Sequence, residues 1–542
     1  LFRADFSFGG LCVALVFFWL SLTPSLLPRT ALFQGVLSGI TAMLGYAFGT
    51  AGSALIRTKL RREPSVRAKR VAWRVLAVTA AVGSLVMLWR AARWDEALRK
   101  LVGADPEGRG GPLLIVIGLL LMAGLILIGA RLVRLLGRFL VRQAGRFVPT
   151  PVAATVGVIV TAMLIVGFAQ GVVWRGVVAG MNNLSSIADG TTDEGAQRPT
   201  SSLRSGSPGS LIAWDDLGRM GRRFVGLGPS PNDLRSFHGG DCCEEPIRAY
   251  VGLKAADSAE ARADVAVREL ERAGAFEREV LVVYTATGTG WINPRASAAI
   301  EYLYRGDTAQ VAMQYSYLPS WMSFLVDQTK AGEAGDALIN AVLERVQAVP
   351  EGARPKVLLF GESLGSYGTE RAFGAVDKLQ ADVDGALLVG PTFSNPIWKD
   401  LTDAREPGSP QWLPTTSQAG VRFARTPADL SDADGEDDGG TVVYLQNSSD
   451  PITWWNASIA FRKPDWAGDP APPDRAPGFR WIPLVTFWQG AFDLADSLGV
   501  PTGYGHNFGS NVVDGWVAIL PPDGWTETDT ARLKDRVYDV AG

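Results

Sequence analysis

Histidine and cysteine are both scarce in this chain, and each scarcity narrows its chemistry. Only His238 and His506 occur among 542 residues, so a reaction needing a neutral-pH base has two candidates. The three cysteines are Cys12, inside an apolar run, and the adjacent Cys242 and Cys243, which we read as ordinary thiols. Neither a disulfide framework nor a zinc-ligand spacing can be drawn from them. The apolar runs of the first third contain almost no ionisable group: Arg74 lies near enough to an end to snorkel, and Arg90 is the last residue but one of its run. Pumps and ion-coupled carriers keep charged residues within the bilayer, so a transporter is disfavoured.

What is present is sharply divided. Residues 1–175 hold 21 Lys and Arg against 6 Asp and Glu, a net +15, while the remainder holds 31 against 49, a net −18. Five apolar segments, 6–27, 31–56, 71–91, 111–130 and 150–174, approach the roughly 20 residues that cross a bilayer. They lack the polar face that a soluble helical core would show. The loop with Arg57, Lys59, Arg61, Arg62, Arg67, Lys69 and Arg70, and that with Arg131, Arg134, Arg138, Arg142 and Arg146, are expected in the cytoplasm. Five spans then leave the N-terminus inside and everything after residue 175 outside. Gly39, Gly45 and Gly49 suit close helix packing.

The expected organisation is a five-span domain at 1–175, a flexible Ser-, Thr- and Gly-rich linker at 176–210, and an α/β domain at 211–542. In the last, helical patterns at 258–273 and 333–348 alternate with apolar strands at 280–284, 311–315, 356–360, 386–390 and 442–446. Continuous apolar strands between helices predict a mostly parallel sheet covered on both faces. Two stretches, near 401–440 and 462–478, interrupt the alternation and read as insertions. Asp432, Asp434 and Glu436 lack the spacing of a calcium loop and read as solvated acid. No metal or other cofactor is expected.

The chemistry centres on Gly361-Glu362-Ser363-Leu364-Gly365, a G-x-S-x-G pattern directly after an apolar strand. At such a strand-to-helix turn a serine is held exposed as a nucleophile, but its hydroxyl needs a base. His506 follows Ser363 in the chain order Ser, Asp, His, whereas His238 precedes it. Asp450, just after the strand at 442–446, is the expected third member. Asp493 and Asp496 in a helical pattern, and Asp465, Asp469 and Asp474 in a proline-rich loop, are its competitors. The Leu364 amide and those of Thr287, Gly288 and Thr289, after the early strand at 280–284, are candidate oxyanion donors. The HisGlyGlyAsp at 238–241 lies too far before that strand to serve.

Several longer segments carry a resemblance: SerLeuThrProSerLeuLeuProArg at 21–29, ProIleArgAlaTyrValGlyLeu at 246–253, ThrAlaThrGlyThrGlyTrp at 285–291, GlnTyrSerTyrLeuProSerTrp at 314–321 and GlyGluSerLeuGlySer at 361–366. Together they resemble a family of actinobacterial membrane-anchored proteins that join a multi-span N-terminal domain to an extracytoplasmic α/β-hydrolase domain. The resemblance implies that fold, a serine-hydrolase mechanism and Ser363 as the elbow serine. A serine esterase, lipase or acyltransferase in the cell membrane follows as the expectation, with a non-catalytic envelope scaffold as the rival. Its substrate would be a lipid or acylated glycolipid ester of the envelope, and nucleic acid is not an expected partner. Trp291, Trp321, Trp454 and Trp455 could line a lipid groove or pack in the core.

Overall fold

The computed structural model describes residues 6–60, 65–108, 110–146, 175–240, 242–326, 328–430, 440–468 and 470–538, with scattered positions between 160 and 174. The chain divides into two compact units. One joins residues 1–178 to 455–501; the other joins 179–454 to 502–542.

In the first unit, α1 (Phe8–Ser21) is capped by Ser7, whose side chain accepts from the Gly10 amide. It is followed by α2 (Ala31–Leu60), α3 (Val66–Val102) and α4 (Gly111–Ala144). Among the described residues three helices, where five spans were expected, are long and apolar enough to cross a membrane: α2, α3 and α4. The expected first span falls short because α1 has 14 residues, about 21 Å of rise against a hydrocarbon core of about 30 Å. It stops before Pro24 and Pro28, which cannot continue a helix. The expected fifth span, 150–174, lies mostly outside the described residues. Val78, Leu85, Leu120, Leu121 and Leu125 stand exposed on α3 and α4, an apolar surface that calls for a lipid environment.

Glycine allows the close contacts in this bundle. A Cβ on Gly39 would lie 2.7 Å from the Met122 Cβ, and one on Gly45 would lie 2.7 Å from the Val13 carbonyl. The hairpin at 22–30 lies at the same end of the bundle as the turn between α3 and α4. Arg99 Nη2 donates to the Arg29 carbonyl at 2.8 Å, and the Ala31 amide donates to Glu107 at 2.5 Å. Arg57, Arg67, Lys69 and Arg70 mark the opposite end of α2 and α3.

Residues 455–501 pack on that same hairpin. Asp493, at the end of the helix Val485–Asp493, takes the Arg29 Nε at 2.6 Å and the Leu26 amide at 3.2 Å. The proline-rich stretch expected as a rim insertion of the α/β domain at 462–478 therefore belongs to the membrane unit, where Trp94 lies against Gly478.

The second unit is built on seven parallel strands: β1 (Ile247–Val251), β2 (Val280–Thr285), β3 (Thr308–Met313), β4 (Lys356–Glu362), β5 (Gly385–Val389), β6 (Val421–Ala424) and β7 (Thr441–Leu445). Their order across the sheet is β1-β3-β2-β4-β5-β7-β6. Every residue of β1, β2, β3 and β5 is buried, so both faces are covered. Helices Ala259–Ala273, Gln328–Gln347 and Leu364–Phe373 pack together in one group, and Pro294–Leu303, Asn511–Ile519 and Glu527–Tyr538 in another. The short edge strand β6 lies within the stretch expected as an insertion at 401–440, while Asp432, Asp434 and Glu436 lie outside the described residues.

The stretch expected as a flexible linker, 176–210, is instead tied down. The Ser205 amide donates to the Arg248 carbonyl and the Arg248 amide to the Leu203 carbonyl, beside β1. Arg204 is buried, with its guanidinium on the carbonyls of Val225 and Pro229. Polar composition resembled a linker because these polar groups satisfy one another rather than water. Cys242 and Cys243 are joined as a disulfide, not left as thiols.

Candidate active site

Because the strands are parallel, the ends of β2, β4, β5 and β7 share one edge of the sheet, where ligands of open α/β folds are bound. Ser363 sits between β4 and the helix Leu364–Phe373 with φ 55° and ψ −123°, a conformation that non-glycine residues rarely adopt. Such a residue costs on the order of 1–3 kcal/mol and persists only where its surroundings enforce it. Here the Ser363 amide donates to the Val389 carbonyl of β5 at 2.9 Å, and its carbonyl accepts from Ser366 Oγ at 2.6 Å. The flanking glycines are required. A Cβ on Gly361 would lie 2.6 Å from the Ser366 Cα, and one on Gly365 would run into the Thr285 carbonyl.

Asp450 follows β7 in a turn, its amide bonded to the Asn447 carbonyl at 3.0 Å. Fully buried, it accepts the Ile452 amide at Oδ1 at 2.8 Å and meets His506 Nδ1 at Oδ2 at 2.6 Å. The loop carrying His506 is pinned on both sides of Gly505. Asn447 Nδ2 donates to the Gly505 carbonyl at 2.9 Å, and the Gly505 amide donates to Ser449 Oγ at 3.1 Å. His506 Nε2 is buried and has no hydrogen-bond partner among the described residues. Burial pulls the imidazole pKa down, but the charge and hydrogen bond of Asp450, with the charge of Glu362, outweigh it and leave it above its ordinary value.

Two further residues were invisible to pattern reading. Gly390 directly follows β5 with φ 53°, and a Cβ there would lie 2.8 Å from His506 Nδ1, so only glycine leaves room for the imidazole. Its signal was the glycine after an apolar strand. Glu362, the variable residue of the elbow, is buried and accepts from Asn293 Nδ2 at 2.7 Å. Burial raises its carboxyl, His506 and Asn293 pull it back in part, and Asp450 adds to the rise.

The loop after β2 differs from expectation at one position. The Thr287 amide donates to the Trp291 carbonyl at 3.2 Å, closing a turn, so it is not available to an oxyanion. Gly288 and Thr289 amides make no hydrogen bond among the described residues, nor does that of Leu364, the first residue of its helix, where amides have no intrahelical acceptor. The loop is braced from behind by Tyr250, whose hydroxyl donates to the Gly290 carbonyl at 2.7 Å, and by Gln314, whose Nε2 donates to the Thr289 carbonyl at 3.0 Å. Gln314 is held in turn by Asp189, from the stretch expected as linker.

The competitors lie elsewhere. His238 ends the helix Pro231–His238 with Nε2 on the Tyr302 carbonyl at 2.6 Å, and burial lowers its pKa. Asp493 is occupied by Arg29. Trp454 is core, packed on Trp398 with its Nε1 on the Asn447 carbonyl at 3.0 Å, while Trp321 is exposed.

Comparison with known proteins agrees with this architecture. Residues 247–533 match the alpha/beta-hydrolase family, and residues 22–229 match the N-terminal region described for an alpha/beta-hydrolase family. No curated protein and no solved structure matches the chain. The first match spans more than half of the chain and includes Ser363, Asp450 and His506, so the protein belongs to the alpha/beta-hydrolase family.

Proposed function

We propose that this protein is a membrane-held serine hydrolase that cleaves acyl esters through an acyl-enzyme. The observation that carries this reading is the buried His506–Asp450 pair, whose Nε2 has no hydrogen-bond partner among the described residues, at the sheet edge that holds the Ser363 elbow. Ser363 Oγ attacks the ester carbonyl as His506 Nε2 takes its proton, and Asp450 holds Nδ1 protonated and stabilises the imidazolium. The amides of Leu364, Gly288 and Thr289 are the donors for the developing oxyanion, each worth about 2.7–4 kcal/mol. His506 then gives the proton to the departing alcohol oxygen. Water, activated by the same imidazole, releases the acid; a second hydroxyl in its place would make the reaction acyl transfer.

The setting is the outer membrane face. Basic ends of transmembrane helices stay in the cytoplasm. Arg57, Arg67, Lys69 and Arg70 mark one end of α2 and α3, and the hairpin at 22–30 that receives residues 455–501 is at the other. From the basic end of α4 the chain reaches that face by the crossing expected at 150–174. A lipid or acylated envelope glycolipid is the substrate class that fits an ester hydrolase held there.

The test is turnover by the full chain in detergent. Hydrolysis of p-nitrophenyl butyrate or dodecanoate that disappears in Ser363→Ala supports the reading, and equal rates in both oppose it. A reporter fused after residue 180 is expected to register outside the cytoplasm; a cytoplasmic signal would remove the envelope substrate. Envelope lipids that accumulate equally in a deletion strain and in one carrying Ser363→Ala would identify the ester.

A further inference from the structure

Residues 455–501 interrupt the α/β unit between its candidate acid and base. Asp450 lies five residues before Trp455, where the chain enters the membrane unit, and His506 lies five residues after Pro501, where it leaves. The excursion is fastened by buried polar contacts. Asp493 binds Arg29 at 2.6 Å, with side-chain exposures of 0% and 4%. Its second oxygen receives Ser25 Oγ and the Leu26 amide. Gln489, one helical turn earlier, donates to the Thr23 carbonyl at 2.7 Å, and Phe492 meets Phe33 edge to face.

The hairpin side is equally fixed. Arg29 Nη1 donates to Gln34 Oε1 at 2.6 Å, Gln34 Nε2 donates to the Ser21 carbonyl at 2.9 Å, and Arg99 holds the Arg29 carbonyl. At the start of the excursion, Trp455 Nε1 donates to the Phe487 carbonyl at 2.9 Å, and the Trp455 ring lies against Gly490. A buried ion pair whose carboxylate oxygens are both engaged is a poor general adhesive but a specific one, because a misplaced partner leaves an uncompensated charge. The segment 21–29 has no part in the acyl chemistry, yet it carries most of this network.

We propose that Arg29 and Asp493 are positioning residues for His506 and Asp450. By fixing the excursion as a folded body of the membrane unit, they fix its two ends and so the spacing of the chain segments that carry the acid and the base. The N-terminal helices are then a working part of the hydrolase, not a detachable tether. This inference rests on the serine-hydrolase reading, with Asn447 and Ser449 providing the local hold on the His506 loop.

The experiment compares wild type, Asp493→Asn, Gln489→Ala and Ser363→Ala as full chains in detergent, reading fluorophosphonate labelling rate, kcat, KM and the pH profile. Asp493→Asn is expected to lower the labelling rate and kcat about tenfold or more, leave KM within twofold, and move the acidic limb toward that of an uncoupled histidine. Gln489→Ala should show a smaller change in the same direction. If Asp493→Asn does not fold, Gln489→Ala decides: a slower rate with a displaced limb supports the inference, and a wild-type rate and limb overturn it. Wild-type behaviour of a folded Asp493→Asn also overturns it. Absent labelling of wild type removes the hydrolase reading itself, whereas labelled wild type with unaltered variants removes only the positioning role.

Discussion

His506 Nδ1 lies 2.6 Å from Asp450 Oδ2, and the two side chains are buried together although 56 residues separate them in the chain. A carboxylate in this position does two things to the imidazole. It selects the tautomer that leaves Nε2 bare, and it raises the proton affinity of the ring.

Asp450→Asn is therefore expected to keep the fold and lose turnover by roughly 10⁴-fold, since an amide in place of the carboxylate stabilises the wrong tautomer. Its kcat and thermal midpoint, measured together, separate this from misfolding. Residual kcat within tenfold of wild type would exclude Asp450 as the orienting acid.

The acidic limb of the kcat/KM profile should lie above pH 6.5, the ordinary histidine value, because His506 must lose its proton before it can act as base and its pKa is raised. Glu362 contributes to that rise, and its neutral analogue still accepts from Asn293. Glu362→Gln should move the limb to lower pH with less than about a tenfold change in the plateau. A limb that does not move would show that Glu362 has no electrostatic hold on the base.

Gly390→Ala tests the fit of the imidazole. The new Cβ would lie 2.8 Å from His506 Nδ1 on a backbone of positive φ, so the ring must shift. A displacement on the order of 1 Å costs about 10²-fold in rate. We expect kcat to fall by about that factor while substrate affinity holds, as read by steady-state kinetics.

Glu370 supplies a prediction about stability. Its carboxyl is buried on Asn395, Tyr444 and the amides of Ile397 and Trp398, and burial pushes its pKa up to about 7. The unfolded chain ionises this group near its ordinary 4.5 while the folded chain keeps the proton, so stability falls as pH rises from about 4.5 to about 7 and then levels. Glu370→Gln loses an acceptor facing two amides and should be about 1–3 kcal/mol less stable at pH 5. The gap should narrow by pH 8, as followed by thermal unfolding at both values.

Much of the α/β unit was legible because its signals are local. Strands expected at 280–284 and 356–360 appear as Val280–Thr285 and Lys356–Glu362, and chain order, with the end of the strand at 442–446, singled out Asp450 and His506 as candidates. The strand expected at 311–315 begins earlier, at Thr308, because Thr308 and Gln310 are buried polar residues that interrupt the apolar run. In β1 the buried Arg248 interrupts the apolar run, and the edge strand β6 has only four residues, with Arg422 among them. What stayed hidden depends on distant pairs. Nothing near Asp493 announces a partner at Arg29, 464 residues away, and nothing near Glu362 announces Asn293. The Thr287 amide was misassigned for a related reason, since a turn that consumes a donor leaves the sequence looking like any other glycine-rich loop.

The most direct measurement is covalent labelling of the full chain with a fluorophosphonate, followed by peptide mapping of the adduct. A serine activated by His506 and Asp450 should be modified stoichiometrically at Ser363, with no adduct on Ser363→Ala and strongly slowed labelling of His506→Ala. Wild type that resists the probe, or a Ser363→Ala chain labelled to the same extent, would contradict a nucleophilic Ser363.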